Sequence, residues 1–401
     1  MNHGIYTVSG TLSFSLLAPY YFFILLVTSL GATMLFMESF SHTRLAQLYQ
    51  HVNLSSDMLI IFVAVSAVFA CKIYFPLNDF FRYKKVMGHH LSMSYLLVFP
   101  ATILIFVGAY LLFSIIVGIV IFYFSNLSFV DSISYIPTMK NYFMDFVDGI
   151  PTLVTLPRLL VVVIIFLIWT LLLYAFHRLG HESRVWWLLS HRPHHVPTAI
   201  SVFTGFDADQ DFLLGFIWKF LWLAIPMLVA KLIYPEPIVL EFVVLLCFWG
   251  CFDALNHQST YYESLMKKET VLLKIHRFFN TGPFHVLHHS SLLEHQKVNL
   301  CSHFFLWDRL FGTYCEPLKK MPPLGLTHQP EIHMTPFRLA FSGILQIGYE
   351  LVHNKSFRVR MKIIFGHIDY VPPVSKSFLV KDDNSKGYTP HLASTPPGTN
   401  A

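Results

Sequence analysis

The sequence predicts an all-α integral membrane protein, a bundle of about five to six transmembrane helices with a cytosolic histidine-rich helical cap. Three observations predict it. The 401 residues are 54% hydrophobic and only 13% charged, against roughly 25% charged in an average soluble domain. Several apolar runs approach or exceed the roughly 20 residues that a helix needs to cross about 30 Å of hydrocarbon. Histidines cluster at His177/His181, His191/His194/His195 and His285/His288/His289, with spacings that place imidazoles on one face of a helix.

The first run, Phe14–Met37, follows no basic residue and exceeds the apolar core of a signal peptide, so it is expected to remain as an anchor. Met58–Phe75 is the second. The loop Pro76–Ser94 carries Arg82, Lys84 and Lys85, which assigns it to the cytoplasmic side. Tyr95–Phe124 is 30 residues long; tilt, a kink at Pro100 and an overrun past the bilayer are all open for it. Ser125–Pro157 sets Lys140 against Asp131, Asp145 and Asp148 and is expected on the opposite side.

Leu159–Phe176 then returns to the cytoplasmic face and delivers the first two histidine clusters just past its end, among Arg178, Arg184 and Arg192. Phe212–Ile233 and Ile238–Leu255 form a hairpin turned at Tyr234–Pro237, where two prolines cannot continue a helix. Its second limb ends at Asn256–His257, near the first clusters. Tyr261–Tyr314 is polar enough to be cytosolic and holds the third cluster. Every cluster thereby reaches one membrane face.

From about Val371 onward, proline, serine and glycine without apolar periodicity predict a disordered tail over 371–401. The remaining divisions are 1–94, membrane helices with a basic loop; 95–320, the domain carrying the histidines; and 321–370, a cytosolic extension. No internal repeat is evident.

The net charge of +5 is small and dispersed, so no nucleic-acid partner is expected, and a basic rim facing anionic lipid is the milder reading. Cys71, Cys247, Cys251, Cys301 and Cys315 follow no paired framework. Structural disulfides are not expected, and Cys247 and Cys251, one helical turn apart, read as buried small residues.

His177-Arg-Leu-Gly-His181 is an HxxxH pair, and His191-Arg-Pro-His194-His195 and His285-Val-Leu-His288-His289 are both HxxHH. Their joint occurrence is the signal. Neutral imidazole suits iron, copper and zinc, and this many imidazoles exceed what one ion holds, so two ions are implied. An all-nitrogen site at a membrane edge suits iron that activates dioxygen against a lipid carbon. A zinc hydrolase fits less well: no HExxH is present, and Leu292-Leu293-Glu294-His295 has Ser291 where HxxEH needs histidine. With no GxSxG elbow, P-loop or dinucleotide fingerprint, electrons are expected from a separate protein.

On these residues the chain resembles the fatty acid hydroxylase/sterol desaturase superfamily of membrane di-iron enzymes, over about Leu159 to Tyr314. Asn256-His257 stands where that family places a lone histidine ligand between the second and third boxes. Phe279-Asn280-Thr281-Gly282-Pro283-Phe284 resembles the segment leading into the third box. The stretch from Asn299 to Trp307-Asp308-Arg309-Leu310-Phe311-Gly312-Thr313-Tyr314 resembles the signature that closes these domains.

The resemblance implies hydroxylation or desaturation of lipid C–H bonds by a dioxygen-derived oxidant on two histidine-bound irons. It implies His177, His181, His191, His194, His195, His257, His285, His288 and His289 as ligands, and an electron donor such as a cytochrome b5-like protein, a ferredoxin or a reductase. A sterol, fatty acyl or alkylglycerol lipid is the expected substrate. Localisation would be the endoplasmic reticulum in a eukaryote or the inner membrane in a bacterium. Asn256, His295, Asn299, His303 and Asp308 are candidates to support the ligands. Three positions depart from the family pattern. Thr170 replaces an acidic residue, Cys301 replaces a glycine after Asn299, and Gly205–Asp209 lacks the usual basic and histidine-proline continuation.

Blander readings stand beside these. Asn256 serves equally as a helix-terminal cap. His89, His90, His276, His295 and His303 read by default as loop or interface histidines, and Trp307-Asp308-Arg309 as closure of the cap without a catalytic role. Trp186, Trp187, Trp218 and Trp222 are ordinary for a membrane interface. A membrane metal transporter or sensor is the rival function, but ion pathways need intramembrane ionisable groups, and only Glu241 and Lys219 come near. A degenerate relative retaining the fold for lipid binding alone is the third reading, opposed by the full ligand set.

Overall fold

The computed structural model describes residues 143–196, 200, 215–257, 259–267, 277–280, 282–326, 336–376 and 378, with individual positions between 64 and 124. The expected span Phe14–Met37, nearly all of Met58–Phe75, the loop Pro76–Ser94, most of Tyr95–Phe124 and Gly205–Asp209 lie outside the described residues. So do Cys71, His276 and nearly all of the predicted tail. Among the described residues the protein is helical, with no strands and three isolated bridges.

Helix α1, Arg158–Glu182, is a Leu/Ile/Val/Phe run that starts immediately after Pro157. It is the one helix among the described residues that is long and apolar enough to cross a membrane. It does not stop at Phe176 as the sequence suggested, but carries His177 and His181 in its last two turns. Gly180 lets the His191 ring pack closely there: a Cβ at this position would sit 3.1 Å from Cγ of His191. Leu159, Leu160 and Val163 leave one flank of α1 apolar and exposed.

The opposite flank of α1 packs on a helical hairpin, α4 (Gly215–Ile233) and α5 (Val239–Asn256). The hairpin turns where the prolines predicted. Val161, Ile165, Trp169 and Leu173 of α1 meet Trp222 and Ala230 of α4, Ile238, and Phe242 of α5 in one buried cluster. At the far end of α1, backbone N–H groups of Leu153 and Leu156 donate to the carbonyls of Leu232 and Ile233.

Beyond Glu182 the chain forms a short α2 (Arg184–Trp186), a π-helical turn (Trp187–His191) and α3 (Arg192–His195). Helix α6 (Tyr262–Lys267) follows α5, and α7 (Pro283–His288) starts after Gly282, whose φ of 50° is left-handed. Helix α8 (Leu306–Phe311) ends at Gly312, φ 73°. Two C-terminal helices, α9 (Pro336–His353) and α10 (Phe357–Phe365), pack back onto the segment that holds the second histidine cluster.

Candidate metal centre

All nine histidines singled out in the sequence converge at the cap end of α1. His177 and His181 come from α1. His191 closes the π-helical turn, and His194 and His195 lie on α3. His257 follows the last residue of α5; His285 and His288 lie on α7, with His289 at its C-cap. Eight are buried and His177 is half-buried.

Their nitrogens form two groups, His177/His181/His191/His195/His288 and His194/His257/His285/His289, each with its ligand atoms within 4.8 Å of one another. The HxxHH spacing makes this division. Residues i+3 and i+4 are both neighbours of residue i on a helix face, but they lie on opposite sides of it. His191 and His195 accordingly share the first group while His194 enters the second; His285 and His289 share the second while His288 enters the first.

In the first group, the Nε2 of His177 lies 3.1 Å from that of His191 and 3.0 Å from that of His288. His181 Nε2 is 2.8 Å from His191 Nε2 and 3.2 Å from His288 Nε2. In the second, His285 Nε2 is 3.0 Å from both His257 and His289, and His257 is 3.5 Å from His194. Ligands about 2.1 Å from one ion lie roughly 3.0–3.4 Å apart at octahedral to tetrahedral angles, so the spacing suits metal–imidazole bonds.

Proton placement makes the fit specific. His177 Nδ1 is 2.6 Å from the Leu300 carbonyl and His288 Nδ1 is 2.9 Å from the Val298 carbonyl. A carbonyl accepts only, so each ring carries its proton on Nδ1 and presents a lone pair at Nε2. Those two lone pairs face each other at 3.0 Å with no hydrogen to share, an arrangement that calls for a cation between them. Burial first, then the neighbouring rings, holds His191, His195, His285, His288 and His289 well below the usual imidazole range. These rings are neutral ligands at pH 7.

The candidate supporting residues act on the scaffold around the rings. Asp308, fully buried, accepts from the backbone N–H of Leu300 at 2.8 Å and of Cys301 at 2.9 Å, and from the Thr313 hydroxyl at 2.6 Å. Asn299 takes a left-handed φ of 53°. Its amide donates to the carbonyls of Phe284 and Cys315 and accepts from the Cys315 N–H, tying the entry of α7 to the closing segment. Asn256 Nδ2 donates to the Ser302 carbonyl at 3.3 Å. His295 Nδ1 pairs with the Ser290 hydroxyl at 3.1 Å, and His303 packs against the Trp169 ring at 5.0 Å. Thr170, in the place of an acidic residue, accepts from the Trp307 indole at 3.1 Å.

Other contributors were not singled out by the sequence. The Leu300 and Val298 carbonyls are backbone atoms without a residue-type signature. Trp187, read as an ordinary interface tryptophan, packs its ring against His181, His191 and His195. Arg184 and Arg192, noted in the sequence only as neighbours of the histidine clusters, are 4% exposed and bonded to α9.

The fatty acid hydroxylase family model matches residues 162–313, just inside the expected limits Leu159 and Tyr314. No solved structure matches the chain.

Proposed function

Residues 162–313 match the fatty acid hydroxylase family model, and from this premise we propose that the protein is a membrane oxidoreductase that hydroxylates or desaturates a lipid at a two-iron centre. The observation that carries the reading is the pair of buried histidine groups, with the His177 and His288 lone pairs opposed at 3.0 Å.

Iron held there would supply dioxygen activation, two external electrons completing the reaction. His177, His181, His191, His195 and His288 would hold one ion, and His194, His257, His285 and His289 the other. The Leu300 and Val298 carbonyls fix the Nδ1 protons of His177 and His288 and so aim their Nε2 atoms inward. Trp187 closes over three of the rings and limits water. The exposed apolar flank at the start of α1, the end opposite the histidines, supports a reading in which α1 lies in hydrocarbon and the centre sits at its edge, within reach of a lipid.

The chain is read as multi-pass with its histidines on the cytoplasmic face. Electrons come from a separate protein, since the sequence has no nucleotide fingerprint. Metal analysis of detergent-purified protein, wild type against His288→Ala, tests the reading. About two irons per chain, depleted in the variant, together with a dioxygen-dependent change in host lipids, supports it; a wild type without metal overturns it.

A further inference from the structure

Helix α9 lies outside residues 162–313, yet it presents a buried polar stripe toward the second histidine cluster. Ser342, Gln346 and Glu350 recur every fourth residue along α9, with Asn354 one residue past its end, and all are buried, Ser342 and Glu350 completely. Such spacing puts them on one helix face. Arg192 donates to Gln346 Oε1 at 2.6 Å and to Ser342 Oγ at 3.2 Å. Arg184 meets the Glu350 carboxylate at 2.7 Å, and its remaining donors reach the carbonyls of Tyr370 and Ile363. Gln346 Nε2 links the two arginines by donating to Glu350 at 3.0 Å.

Between these grips the backbones touch. A Cβ on Gly343 would lie 1.8 Å from the Leu188 carbonyl oxygen, so α9 crosses the π-helical turn at a distance only glycine allows. Arg184 and Arg192 bracket that turn, which ends in His191. A π-helical turn has poorer intrinsic stability than an α-turn and recurs at functional sites. Its register decides where His191 and His195 point. A buried ion pair does not usually stabilise more than apolar packing would, but it fixes geometry when every partner is satisfied.

We propose that α9 is a positioning element of the metal centre: Gln346 and Ser342, through Arg192, and Glu350, through Arg184, hold the π-helical turn in the register that aims His191 and His195. The proposal rests on the two-metal reading above. It makes residues beyond the family-matched segment necessary for one half of the centre.

The test is equilibrium titration of the full-length, detergent-solubilised protein with cobalt(II) against a competing chelator, following ligand-field absorption. Gln346→Leu removes the Arg192 acceptor; Ser342→Ala is a milder cut that decides the matter if the first variant does not fold. Affinity for one of two sites is expected to fall roughly 10- to 100-fold, the range for loss of a ligand-orienting contact. Its spectrum should change while elution and helical content stay as in wild type. Wild-type affinity and spectra in folded Gln346→Leu and Ser342→Ala, even with a lowered melting temperature, would overturn the proposal. A wild type that takes up no cobalt(II) would instead defeat the two-metal reading itself.

Discussion

Asp308 and His177 hold opposite ends of one residue: the Asp308 carboxylate accepts from the Leu300 N–H at 2.8 Å, and the Leu300 carbonyl faces His177 Nδ1 at 2.6 Å. The closing signature therefore reaches the metal centre through a single backbone unit. Asp308→Asn replaces one acceptor oxygen by a donor facing an N–H. Charge-assisted bonds of this kind and the buried donors left behind are worth about 3 kcal/mol together. We expect a destabilisation of that order and a reduced affinity of the first histidine group for metal. Thermal unfolding and metal titration of the purified variant check both; an unchanged melting temperature would show that the carboxylate is dispensable.

Because the two groups share no histidine, they should be separable. His257→Ala removes a member of the second group only, and His288→Ala a member of the first only. Each variant is expected to retain about one of two metals, and the pair should lose different spectroscopic components. Loss of both metals from His257→Ala would mean that the groups bind cooperatively as one cluster.

The parts of this arrangement that the sequence disclosed are those with local signatures. The i, i+3, i+4 histidine spacing puts each box on one helix face, and Pro235 and Pro237 encode the turn between α4 and α5. The apolar run ends at Phe176, whereas α1 continues to Glu182, where no apolar residue marks its end. The burial of Arg184 and Arg192 could not be read from the sequence because their partners lie 166 and 154 residues away, at Glu350 and Gln346. The i+4 recurrence of Ser342, Gln346, Glu350 and Asn354 was the signal available, but a polar stripe looks solvent-facing until its partners are known. Carbonyls such as Leu300 O and Val298 O leave no trace in residue type.

Acid should destabilise the metal-free protein in a defined direction. His191, His195, His285, His288 and His289 have folded-state values pushed well below normal by burial and by one another, whereas in the unfolded chain each titrates near 6.5. Above about pH 6.5 both states are neutral at these positions and no stability is lost. As pH falls below that value the unfolded state takes up protons that the folded state refuses, so stability declines, by up to about 1.4 kcal/mol per pH unit for each group. Melting temperatures of chelator-treated protein between pH 7.5 and 5.5 should fall steadily. A flat profile would mean that the rings take up protons without unfolding.

Glu241 offers the sharpest contrast with metal transport, since it was the acidic residue nearest to an ion pathway in the apolar segments. It lies in the first turn of α5 and pairs with Arg158 at the start of α1, Nε to Oε1 2.5 Å, with 51% of the Arg158 side chain and 23% of the Glu241 side chain exposed. That is the end of α1 opposite the histidines, and a paired, partly solvated carboxylate has little affinity left for a passing cation. Exposed pairs of this type contribute about 0–1 kcal/mol. Glu241→Ala should therefore leave metal content, histidine-dependent lipid turnover and cellular metal levels as in wild type, with at most a small drop in melting temperature. If the variant instead abolished metal uptake by cells while their lipids stayed unchanged, the histidines would belong to a transport path and the oxidoreductase reading would fall.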